Sequence, residues 1–166
     1  MSSTIVLATL EHDGPLGRLL LAASDAGLAG VWFEGQRHWP AAAAQWRQVA
    51  AHPVLQEAAR QLESYWQGQL EGFALPLDTA RGTPFQQRVW RALADIPRGA
   101  TESYAALAQR IGAPGAARAV GAAVGRNPWS VVVPCHRVVG QGGALTGYAG
   151  GVARKQALLR LEGALA

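Results

Sequence analysis

The chain has 166 residues, 49% hydrophobic and 16% charged, enough apolar material for one packed domain or two small ones, so a globular protein is expected. No apolar run approaches the roughly 20 residues that span a bilayer, and Met1-Ser2-Ser3-Thr4 lacks the basic start of a secretory signal, so the expectation is a cytoplasmic protein with no membrane partner. The formal charge of +4 is unevenly divided: residues 1–80 carry four arginines against eight acids, net −4, and residues 81–166 carry ten arginines and Lys155 against three acids, net +8. The second half would draw a polyanion, and arginine favours two-pronged contacts to phosphate, although a merely solvated basic surface has the same composition.

The apolar stretches Thr4–Leu10, Gly17–Ala22 and Leu28–Phe33 are separated by Asp13-Gly14-Pro15 and Asp25-Ala26-Gly27, which predicts three short antiparallel strands. Residues 36–52, with the Ala41–Ala44 run and Trp46, read as helical. Val54, Leu55, Ala58, Leu62, Tyr65 and Trp66 then recur at helical spacing, and these helices would cover one face of the sheet. The segment Gly72–Gly82 has no helical pattern and coincides with the charge reversal. A boundary there gives an N-terminal unit, 1–78, and a C-terminal unit, 79–166. Nothing before it looks catalytic.

Thr83-Pro84-Phe85-Gln86 is a helix start, with threonine as N-cap, proline at the first helical position and glutamine completing a capping box. The helix should reach Ala94, with Phe85, Val89, Trp90 and Leu93 inward. A second helix over Ser103–Ile111, a break at Gly112-Ala113-Pro114-Gly115 and a third helix over Ala116–Val124 make a helix-turn-helix pattern. The third is nearly bare except for Arg118 and Val120, which suits a narrow groove or, alternatively, close packing within the protein. The fold class is therefore α+β: a small three-stranded antiparallel sheet with helices, then a mostly helical domain containing a helix-turn-helix.

Cys135, the single cysteine, follows Val131-Val132-Val133 within Pro134-Cys135-His136-Arg137-Val138. A lone thiol forms no internal disulfide and cannot supply the sulfurs of a structural zinc site, so it is either core filler or a reactive nucleophile. His136 is the only histidine of the basic half, but neighbours on an extended segment point to opposite sides, so a turn or a bridging water is needed to connect it to the thiol. Glu162 is positioned either to orient the imidazole or to lie on a solvated helix end.

The motifs Pro134-Cys135-His136-Arg137-Val138, Ala117-Arg118-Ala119-Val120-Gly121, Asn127-Pro128 and Gly147-Tyr148-Ala149-Gly150-Gly151 stand in an order and spacing that resembles the O6-alkylguanine-DNA alkyltransferases. The resemblance is strong from Gly82 to Gly163 and weaker in the first unit, which would be the ribonuclease H-like domain of that family. It implies direct-reversal repair of double-stranded DNA containing O6-alkylguanine, with O4-alkylthymine as a further substrate. Cys135 would take the alkyl group in one irreversible turnover, His136 would deprotonate it through a water, and Glu162 would hold the imidazole. Tyr104 would press on the 3′ phosphate and hydrogen-bond the flipped base while Arg118 fills the vacated position, and Ala117, Ala119 and Gly121 would lie in the minor groove. Asn127 would be a hinge beside the thiol. Carbonyls of Cys135 and Val138 and the amide of Ala149 would read the base, with Tyr148, Gly150, Val124, Trp129, Ser130 and Thr146 around it. The expectation is a monomer, with cooperative binding of several copies along DNA left open; by the resemblance no cofactor is used, and the lack of N-terminal cysteines speaks against zinc. A non-catalytic lesion binder, an ordinary helix-turn-helix regulator and a cysteine hydrolase are the rival readings.

Overall fold

The computed structural model describes residues 6–166. Strands β1 (Ala8–Gly14), β2 (Gly17–Ser24) and β3 (Gly27–Phe33) form the antiparallel meander expected from their alternation with turn residues. The first strand starts later than expected, residues 4 and 5 of that expectation lying outside the described residues. It continues through Asp13-Gly14, so the reversal falls on Pro15-Leu16. The chain re-enters each following strand through a glycine in the left-handed region, Gly17 at φ +118° and Gly27 at φ +138°. At Gly27 a side chain is excluded twice over, since a Cβ there would lie 2.6 Å from the Pro76 carbonyl oxygen.

The helix expected over 36–52 does not form. Its alanine run supplies one 3-10 turn, Ala43–Gln45, after which Arg47–Gln48 is a short strand, β4, parallel to β1, giving the sheet order β3-β2-β1-β4. Helices this short are marginal alone, and tertiary contacts decide: the Arg47 and Val49 amides donate to Leu7 and Thr9, and the Trp46 ring packs 5.6 Å from Trp32 on the sheet face opposite α1. Helix α1 (Pro53–Trp66) follows, burying Leu55, Ala58, Leu62 and Tyr65 as its spacing predicts.

Two later segments of the chain pair with β3, an edge strand of the sheet. The linker pairs with it, Leu28 N–H donating to Pro76 and Asp78 N–H to Leu28, and Ser24 Oγ lies 2.7 Å from Asp78 Oδ2. Further along, Val31 N–H donates to the Pro128 carbonyl at 2.8 Å and Ser130 N–H to that of Val31 at 3.0 Å. An exposed strand edge is thereby covered, and the segment leading to Cys135 is anchored to the sheet.

Helix α2 (Pro84–Leu93) begins with both hydrogen bonds of the capping box. Two-residue strands β5 (Glu102–Ser103) and β6 (Val138–Val139) pair in parallel, and helices α3 (Tyr104–Arg110), α4 (Ala117–Gly125) and α5 (Val152–Leu161) complete the chain. Val120, Ala123 and Val124 of α4 enter the core, while Arg118, Ala119 and Ala122 are exposed. One hydrophobic core joins the halves: Leu19, Leu21, Phe33 and Leu62 belong to the same cluster as Val89, Leu93, Leu107 and Leu158.

Candidate active site

Two tight reversals deliver the cysteine. Val132 N–H donates to the Ser130 carbonyl at 2.8 Å, closing a γ-turn about Val131, whose φ of +70° is a strained value for a β-branched residue. Cys135 N–H then donates to Val133 at 2.8 Å around Pro134, at φ −82° and ψ 63°, an inverse γ-turn. Asn127 holds both in place: its Oδ1 accepts from Trp129 N–H at 3.0 Å, and its Nδ2 donates to the carbonyls of Val133 at 2.9 Å and Trp129 at 3.3 Å.

Cys135–Arg137 form a 3-10 turn, so the chain is not extended where cysteine and histidine adjoin. Burial pushes the Cys135 thiol up, with the Asn127 side chain, the Lys155 ammonium and nearby backbone amides pulling it back. His136 is fully buried and its Nε2 lies 2.9 Å from Glu162 Oε2. With the carboxylate accepting, Nε2 carries the proton; Nδ1 is buried and has no hydrogen-bond partner among the described residues. Burial lowers His136 more than Glu162 raises it, so the imidazole is neutral at pH 7 and its unprotonated Nδ1 can accept a proton.

Glu162 caps α5 and is a buried acceptor, not a solvated helix end. Burial pushes its carboxyl up, but hydrogen bonds from His136, Arg137 and Tyr65 outweigh that and hold it well below the ordinary carboxylate range. Arg137 grips it in two-pronged fashion, Nε to Oε1 at 2.9 Å and Nη2 to Oε2 at 2.8 Å, and the Tyr65 hydroxyl donates to Oε2 at 2.7 Å.

A cavity of about 150 Å³ opens at Cys135, walled by Tyr104, Gly121, Val124, Tyr148 and Ala149, with Arg37 and His38 on its far side. Tyr104 arrives because β5, immediately before it, pairs with β6, immediately after the Cys135 turn. Burial pushes its phenol up, keeping it a proton donor. Lys155, 0% exposed, donates from Nζ to the Thr146 carbonyl at 3.1 Å and lies 5.8 Å from the Tyr104 ring centroid; burial brings its ammonium down to about 8, opposed by the charge of Cys135. Val138 is buried in β6, Gly150 lines a neighbouring cavity, and Trp129 faces the core, edge-on to Trp90 with Nε1 donating to Leu28 at 2.7 Å. None of those three lines the cavity at the thiol. On α4, Arg118 and Ala119 are exposed and Ala117 and Gly121 partly so, Gly121 lying beneath the Tyr104 ring.

The first half does reach the site, contrary to expectation. Tyr65, Arg37 and His38 are all N-terminal to the boundary, and Arg37 N–H donates to the Ala149 carbonyl at 2.9 Å. His38 and Val131 are the only non-glycine residues of positive φ among the described residues, and both belong to these walls and turns. No sequence pattern marks Arg37 or His38; Tyr65 is indistinguishable from its helical neighbours of the buried stripe. Among the described residues no group of three or more His, Cys, Asp or Glu side chains gathers as a metal site.

A buried free cysteine at the edge of a small cavity, adjoining a buried histidine–carboxylate pair, is an arrangement suited to nucleophilic chemistry by sulfur on a bound group. Residues 84–164 match the family model described as the DNA binding domain of 6-O-methylguanine DNA methyltransferase, and residues 8–79 match its ribonuclease-like domain. The chain belongs to this family. It is 47% identical over 150 residues to the methylated-DNA–protein-cysteine methyltransferase of Mycobacterium leprae, covering 90% of this chain and 88% of that protein. The similarity to that of Methanosarcina barkeri is 45%, over 90% and 93% of the two chains. The crystal structure of Mycobacterium tuberculosis OGT in complex with DNA matches at a TM-score of 0.84 and 46% identity, over 96% of this chain and 93% of that one.

Proposed function

We propose that this protein repairs alkylated double-stranded DNA by moving the alkyl group from O6 of guanine, or O4 of thymine, irreversibly onto Cys135 Sγ. The observation that carries the reading is the cavity at Cys135 with His136 and Glu162 behind it. His136 Nδ1, through a water, takes the thiol proton; Glu162 stabilises the imidazolium, and the buried Lys155 ammonium supports the thiolate. Sulfur then attacks the alkyl carbon in line with the departing base. The S–C bond forms as the C–O bond breaks, the base leaves with the electron pair of that bond, and a proton equivalent to the one His136 took from the thiol restores its ring N–H, with the Tyr104 hydroxyl donating a hydrogen bond. The product is a neutral thioether with no easy hydrolytic exit, so each molecule acts once.

A lesion inside a duplex cannot reach a buried thiol, so the nucleotide must turn out of the stack. Helix α4 of the helix-turn-helix fits the minor groove because its outer face is alanine and glycine around Arg118, which replaces the flipped base. Support for DNA as partner comes from the DNA complex of the mycobacterial relative. The reading places the protein in the cytoplasm as a monomer, where a free thiol stays reduced.

The test is intact-protein mass after mixing with a duplex carrying one O6-methylguanine. The wild type should gain one methyl group in place of a proton and then stop, while Cys135→Ser and Cys135→Ala bind the duplex without gain. Lesion binding with no gain in the wild type would make the protein a damage-recognition factor.

A further inference from the structure

We infer that Tyr65, on helix α1 of the N-terminal half, is a positioning residue for the proton relay: its hydroxyl fixes the Glu162 carboxylate that orients His136. The inference rests on the reading of His136 and Glu162 as the relay serving Cys135.

Glu162 Oε2 receives three donors, Tyr65 OH at 2.7 Å, His136 Nε2 at 2.9 Å and Arg137 Nη2 at 2.8 Å, while Oε1 receives Arg137 Nε at 2.9 Å. Arginine fixes the plane of the carboxylate. Tyr65 acts on the same oxygen as the imidazole, so it limits how much negative charge that oxygen offers to His136. Both other donors belong to the residues beside Cys135, whereas Tyr65 comes from 97 positions away.

The tyrosine is itself firmly held. It is 1% exposed, its ring lies 5.4 Å from that of Phe73 and 5.1 Å from that of Trp66, and the Arg98 guanidinium sits 5.3 Å from its centroid. Arg98 donates to the carbonyls of Leu70 and of Leu161, the residue before Glu162, tying the end of α1, the linker and the end of α5 together. Packing alone would be served by phenylalanine; the hydroxyl finds its partner in the relay. The charged and titratable groups around the pair are Arg98, Arg137, His136 and the buried Tyr148 phenol, with Cys135 and Lys155 beyond the imidazole.

Removing the hydroxyl leaves more charge on Oε2 for His136, which makes the imidazole harder to deprotonate and the base available only at higher pH. The experiment is single-turnover methyl transfer from the O6-methylguanine duplex between pH 5 and 9, using the full chain, Tyr65→Phe and Glu162→Gln. Tyr65→Phe should move the acid limb up by about half a pH unit, slowing transfer about threefold on that limb with DNA affinity unchanged. Titration of the His136 ring nitrogens by NMR in the same variant should show the same upward shift without recourse to the reaction. A Tyr65→Phe profile and titration that superimpose on the wild type, with Glu162→Gln impaired, would overturn the role of Tyr65 and leave the relay standing. Undiminished transfer by Glu162→Gln would overturn the relay and this inference with it.

Discussion

Glu162 concentrates more of the site's physics than Cys135. It is buried, takes four hydrogen bonds, and balances Arg137, itself only 7% exposed. Glu162→Gln leaves that arginine buried without its counter-charge, a loss of about 3–5 kcal/mol at neutral pH. The pH dependence has a definite sign. The folded carboxyl lies below its unfolded value, so its stabilisation is complete above the unfolded range near 4.3 and is lost as pH falls toward the folded value. The lowered His136 acts in the same sense, since below its unfolded value of about 6.5 the unfolded chain binds the proton first. Urea unfolding at pH 7 and in steps below pH 4 should therefore show the gap between wild type and Glu162→Gln narrowing in acid. Cys135 was legible as a candidate from its uniqueness and its neighbours. Arg137, Lys155 and Tyr65 were not, because a buried cation and a buried phenol look in sequence like a surface residue and a core one.

Among the elements, the proposed function assigns recognition to α4 and chemistry to the turn segment that follows it. Arg118 stands alone on a face of alanine and glycine, so Arg118→Ala should slow repair in duplex DNA tenfold or more, on the order of a few kcal/mol of unstacking, and leave reaction with free O6-methylguanine base nearly unchanged. Comparing the two rates checks this; equal losses on both would place Arg118 in the fold instead of in base flipping. The two readings of the slim helix turn out to be compatible. Its outer face is free, while on its inner face the Ala123 carbonyl accepts from Trp90 Nε1 at 2.8 Å, an approach that bulk would obstruct. Local signals were faithful where the element is closed by its own side chains, as in the Thr83–Gln86 capping box, and failed for residues 36–52, where pairing with β1 and the Trp32–Trp46 contact outweigh alanine's helix propensity.

For the molecule as a whole, the continuous core and the double attachment at β3 imply that the two halves unfold together. Far-UV circular dichroism and tryptophan fluorescence should give superimposable urea transitions. Leu62→Ala, at the N-terminal side of that core, should shift both equally by about 2–5 kcal/mol; two separated transitions would contradict a shared core. The same unity explains the site, since the cavity takes Arg37 and His38 from one half and Tyr104, Cys135 and Tyr148 from the other.

The sequence by itself determined the α+β class, the three-stranded meander, the charge reversal, the capped α2, the small-residue α4 and the cysteine with its histidine, because periodicity, caps and turn residues act over a few positions. Only the tertiary structure decided which distant groups complete the site. The γ-turn about Val131, the Arg137–Glu162 pairing, the burial of Lys155 and the reach of Tyr65 across 97 positions depend on how sheet, linker and α5 pack. Contacts between residues far apart in the chain leave no local periodicity to read.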